Sequence, residues 1–115
     1  TAISAIRRDF AAGTTDEAAT RKVIAETRKA SAYLLDPHTA VGVGVARSQA
    51  HSQTPMITLA TAHPAKFPAA VAEASGIEPA LPDWLGDLYE RPERVTVLDN
   101  DQRQIEDFIA ARSRA

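Results

Sequence analysis

At 115 residues, with 44% hydrophobic and 24% charged residues, the chain has one domain's worth of length and the make-up of a soluble globular protein, which excludes a disordered, collagen-like or coiled-coil polymer. A formal net charge of −2 leaves no electrostatic footprint for nucleic acid or an anionic membrane, and no apolar run nears the roughly 20 residues that a membrane helix needs. With no cysteine there is neither a disulfide scaffold nor thiolate chemistry, which is compatible with a reducing cytoplasm.

The first residue is Thr, and TAISAIRRDFAAG opens inside a helical pattern with no capping signal ahead of it, so the start is expected to be a cut. Ile3, Ile6 and Phe10 fall at helical spacing, which predicts a helix over residues 2–12 closed near Gly13. Thr14 and Glu17 stand at capping-box spacing ahead of a second helix over 15–34, with acids early and bases late. Its buried face is expected to carry Ala19, Val23, Ile24, Ala30, Tyr33 and Leu34. Asp36 and Pro37 have the residue types of an N-cap and a first helical position, predicting a third helix from 37 to about 50. Gly42 and Gly44 cost that helix stability, so each points to close approach of another part of the molecule, packing before ligand.

Residues 56–60, MITLA, form a short β-favouring run, and a helix is expected from Pro64, with Pro68 tolerated in its first turn and Gly76 as its stop. Thr61, Ala62 and His63 are then a strand-to-helix joint, the place in an α/β fold where crevices open and helix amides face ligands. A second Pro-initiated helix over 82–90 would set Trp84, Leu85 and Leu88 on one side as cover. VTVL at 95–98 reads as a final short strand, followed by a helix capped by Asp99 or Asn100 and carrying Ile105, Phe108 and Ile109, with Arg112 and Arg114 at its end. The pattern as a whole is α/β, mostly helical, with two short strands separated by helices. Two strands alone make a poor sheet, so further sheet is expected from missing chain or another copy.

Single-residue chemistry is thin. His63 at the joint is a candidate ligand-facing group and His38 lies in similar context, whereas His51 sits in a polar break without a partner. Lys66 reads as a solvated first-turn lysine before it reads as an amine nucleophile. No HExxH motif or carboxylate-histidine cluster makes a metal site, no GxSxG elbow orders a triad, and GVGV is not GxGxxG.

Two stretches in order, DPHTAVGVGVA at 36–46 and ATAHPAKFPAAV at 60–71, resemble the C-terminal part of threonine synthase, a pyridoxal-phosphate enzyme of the tryptophan-synthase-β fold type. The resemblance runs over most of residues 20–114. It implies that residues 1–115 are a single C-terminal fragment of a larger three-layer, parallel-sheet enzyme (fold type II). That enzyme is a cytoplasmic lyase of threonine biosynthesis, converting O-phospho-L-homoserine and water to L-threonine and phosphate. The family's Schiff-base lysine lies in an SFKD-like stretch and its cofactor phosphate in a Gly/Asn-rich loop, neither of which occurs here. Lys22, Lys29 and Lys66 are the only lysines and none matches that motif, so the isolated chain is expected to be inactive.

The resemblance carries one role over, onto Thr61, whose neutral hydroxyl would meet the pyridine nitrogen and limit the electron sink. Ala60, Ala62, His63, Lys66, Asp36 and His38 are expected to neighbour that site, with Asp36, Pro37, His38 and Thr39 bracing it from behind. Expected partners are the small-molecule substrate and the missing N-terminal part, with self-association of the lone fragment through its open sheet edges. Two other readings stay open: a stand-alone α/β binding or assembly module, and a phosphate-binding enzyme using His63 and Lys66.

Overall fold

The structure, a computed structural model, describes residues 2–49 and 53–113; His51 and Arg114 lie outside them. The chain divides into two units, one running to Asp83 and one starting at Trp84.

In the first unit, helix α1 (Ala2–Asp9) buries none of its residues, and Ile3, Ile6 and Phe10 are exposed. Helix α2 (Glu17–Ser31) starts later than the Thr14 spacing predicts, because Asp16 is the cap: its carboxylate accepts from the Ala19 N–H at 2.7 Å. It stops three residues early because Ala32 turns left-handed (φ 60°) while its N–H still reaches the Arg28 carbonyl. Helix α3 (Pro37–Gln49) follows the Asp-Pro start and runs as the sequence predicts. A 3-10 turn (Pro64–Lys66) and helix α4 (Pro68–Ser75) come next, closed by Gly76 at φ 71°. The continuous helix expected from Pro64 is thus broken at Phe67 (φ −133°, ψ 56°), since the residue before Pro68 is sterically barred from the α region.

Helices α3 and α4 both pack on α2. Val23, Ile24, Leu35 and Ala40 form the core, with Leu34, Val43 and Ala74 packed against it, and Val71 of α4 is fully buried. Each large member contributes about 1.5–3 kcal/mol through apolar burial. Ala19, Ala30 and Tyr33, expected on the buried face of α2, are exposed, and Thr20 is buried in their stead with its hydroxyl donating to the Asp16 carbonyl at 2.8 Å. At the rim Arg21 faces Glu73 and Arg47 faces Glu26, exposed pairs that add little. The two α3 glycines serve packing: a Cβ on Gly42 would meet Thr58 Cγ2 at 3.2 Å, and one on Gly44 would meet Thr15 Oγ1 at 2.9 Å.

The second unit holds two 3-10 turns (Asp83–Leu85, which begins at the boundary, and Leu88–Glu90) and helix α5 (Gln102–Arg112). Gly86 interrupts the helix expected over 82–90, and Trp84, expected to pack as cover, is 77% exposed. Asp101, and not Asp99 or Asn100, caps α5 by accepting from the Gln104 N–H at 2.9 Å. Arg91 forks onto Asp87 at 2.6 and 3.0 Å and holds that carboxyl below its ordinary range.

The two expected strands are corrected by the structure: among the described residues no segment is paired as a strand, and 56–60 and 95–98 carry no regular structure. A strand exists through a neighbour's hydrogen bonds, and neither run has one. Their side chains remain bare, Ile57 at 81% and Val97 at 89% exposure.

Gly44→Ala is expected to lower stability by about 1 kcal/mol in urea unfolding, because crowding of Thr15 outweighs the gain in helix propensity.

Candidate functional site

The joint is built from two chain turns that meet. At the first, Asp36 is 1% exposed and caps α3: one carboxylate oxygen, Oδ1, accepts from the His38 N–H at 2.9 Å and the Thr39 N–H at 3.3 Å. The other, Oδ2, accepts the hydroxyl proton of buried Thr39. Thr39 Oγ1 in turn accepts from the Thr61 N–H at 3.1 Å, across 22 positions of sequence. A buried carboxylate therefore receives two amides and a hydroxyl, and no buried side-chain polar atom among the described residues is left without a partner.

At the second turn His63 caps the 3-10 turn, its Nδ1 accepting from the Ala65 N–H at 3.2 Å. That bond assigns the proton of the neutral ring to Nε2. The turn is closed by the Lys66 N–H on the His63 carbonyl and the Phe67 N–H on the Pro64 carbonyl. Phe67 joins both turns, since the His38 ring packs on it at 4.7 Å between centroids and Lys66 Nζ lies 5.9 Å from its face. His38 Nδ1 also stands 3.4 Å from Asp36 Oδ1.

Of the residues expected at the site, Asp36, His38 and Thr39 are tied to Thr61 by this network, and Lys66 is linked to it through Phe67. Ala60 and Ala62 flank Thr61 without bulk. His63 serves the backbone of its own turn. Thr61 is exposed and its hydroxyl is bonded to no other described residue. Lys22 stands apart on α2, 3.8 Å from Glu26. Among the described residues no group of three or more His, Asp or Glu side chains could hold a metal ion. Phe67 was not singled out by the sequence; the signal available was an aromatic wedged between two first-turn positions, Lys66 and Pro68.

Asp36→Ala removes the cap and strands the Thr39 hydroxyl, and is expected to cost about 2–3 kcal/mol in urea unfolding. Asp36→Asn, which keeps an acceptor for the two amides, is expected to cost clearly less.

A family model described as "Threonine synthase, C-terminal" matches residues 39–109. The threonine synthase of Pseudomonas aeruginosa is 52% identical over 93 residues, covering 79% of this chain and 20% of that protein. That of Methylobacillus glycogenes is 37% identical over 100 residues, covering 87% of this chain and 21% of that protein. Among solved structures, PLP-bound threonine synthase from Brucella melitensis superposes with a TM-score of 0.80 at 50% identity, covering 98% of this chain and 24% of that one. The chain spans about a fifth of the length of the curated relatives it matches. With the family model matching well over half of its residues, the chain belongs to the threonine synthase family and corresponds to its C-terminal part.

Proposed function

We propose that this chain is the C-terminal part of a cytoplasmic, pyridoxal-phosphate-dependent threonine synthase that converts O-phospho-L-homoserine and water to L-threonine and phosphate. In that enzyme Thr61 presents its hydroxyl to the pyridine nitrogen. The observation that carries this reading is the state of Thr61: the N–H is taken up by Thr39, the hydroxyl is free of other described residues, and small Ala60 and Ala62 stand on either side.

The residues present fit one edge of such a cofactor. A neutral hydroxyl is a suitable partner for a heteroaromatic nitrogen, and two alanines let a flat ring approach. When bound, the cofactor supplies an electron sink for the bonds of the amino-acid substrate. This chain's share is positional: α3 and the 3-10 turn hold the joint, and the hydroxyl meets the ring nitrogen without handing it a full proton. The lysine and the phosphate loop belong to sequence outside these residues. In the whole enzyme, other sequence covers 56–60 and 95–98, whose apolar side chains are bare here.

By itself the 115-residue chain is inactive. Mixed with pyridoxal phosphate and reduced with borohydride, it is expected to yield no stoichiometric adduct on any one of Lys22, Lys29 or Lys66, and no threonine from O-phosphohomoserine; a single-site adduct with turnover would overturn this. In the full-length enzyme Thr61→Asp is expected to change the cofactor's absorbance and lower kcat at least about tenfold, the scale of losing a group that tunes the reacting centre. In sedimentation the lone chain is expected to self-associate through its exposed segments, whereas a stable monomer with a cooperative melt would favour an independent binding module.

A further inference from the structure

We propose that Thr39, oriented by Asp36, is a positioning residue that holds the backbone of Thr61 where its hydroxyl is offered to the cofactor; this rests on the reading of Thr61 given above. A threonine hydroxyl has one proton to give and lone pairs to receive. Here the proton is committed to Asp36 Oδ2, a carboxylate that only accepts, so the lone pairs of Thr39 Oγ1 are what faces the Thr61 N–H, 3.1 Å away. The polarity of the chain carboxylate, hydroxyl, amide is thereby fixed in one sense.

Two consequences follow for Thr61. Its backbone N–H is pinned to a side chain buried in the first turn of α3, so the point from which its side chain is carried is held in place although the residue is exposed. Its N–H is also withdrawn from competition, so the hydroxyl is the polar group of Thr61 left to meet a ring nitrogen. Asp36 cannot swing away, because Oδ1 is held by the His38 and Thr39 amides and the carboxylate lies in the packed start of α3. Valine at position 39 would keep the shape of the side chain and abolish both bonds. Serine would keep both bonds.

The test uses the full-length enzyme carrying this segment, loaded with pyridoxal phosphate labelled with 15N in the ring. The ring-nitrogen resonance and the cofactor Kd are read for Thr39→Val, Thr39→Ala, Thr39→Ser and Thr61→Val, with Val71→Ala as a variant that weakens packing elsewhere. Thr39→Val is expected to shift the resonance in the sense that Thr61→Val does and to raise Kd about tenfold, as loss of an outer partner typically does. Thr39→Ser restores both, and Val71→Ala lowers the melting temperature without moving the resonance. If Thr39→Val does not fold, the smaller Thr39→Ala carries the same expectation. A wild-type resonance and Kd in Thr39→Val or Thr39→Ala, with Thr61→Val altered, would overturn the role of Thr39 and leave that of Thr61 standing. No effect of Thr61→Val would overturn both.

Discussion

The first unit turns on one buried carboxylate. Asp36 sits nearly out of solvent, with the His38 imidazole 3.4 Å from Oδ1, and its two oxygens receive two amides and a hydroxyl. Hydrogen bonds to a charged group are worth about 1.5–3 kcal/mol net, so together they offset the desolvation of one carboxylate that helix α3 needs as its cap. The same group starts the helix, orders Thr39 and, through it, anchors a segment 22 residues away. Without that anchor 56–62 would have little else to hold it, since Met56, Ile57 and Leu59 are exposed.

Packing follows from that anchor. With α3 fixed at its start, Ala40 closes onto Val23 and Ile24, and Gly42 and Gly44 allow Thr58 and Thr15 to lie against the helix where a Cβ would be crowded at 3.2 and 2.9 Å. Helix α4 also packs on α2, with Val71 fully buried. The resulting core is small. Large apolar side chains at 3, 6, 10, 56, 57, 59, 95 and 97 stay in contact with water, more than a self-sufficient domain of this length usually leaves exposed. That imbalance, and the fifth of a relative's length that the chain spans, favour the same reading of these surfaces as parts that other sequence covers.

Much of this was legible in the residues themselves. Asp36-Pro37 carries an acceptor and a preset φ, so α3 and its cap could be read without knowledge of the rest. The pairing of 36–46 with 60–71 pointed to the family that the comparisons then gave. Features decided by distant contacts were not legible: local pattern assigned Thr14 as a cap where Asp16 won, and put Tyr33 in a core that Thr20 entered. Pro68 is tolerable by its place in a first turn, while its effect falls on Phe67 one residue earlier. The strands failed for a different reason. Residues 56–60 and 95–98 have β-favouring side chains, but a strand is a property of two segments, and among the described residues neither run has a partner.

We propose that this segment brings the Thr61 hydroxyl to the ring nitrogen of the cofactor, held there by Thr39 and Asp36. The most direct measurement is a crystal structure of the full-length enzyme with pyridoxal phosphate bound. Thr61 Oγ1 is expected within about 3.2 Å of the pyridine nitrogen, with the Thr61 N–H still on Thr39. A ring nitrogen bonded to another group, with Thr61 more than about 4 Å away, would contradict it.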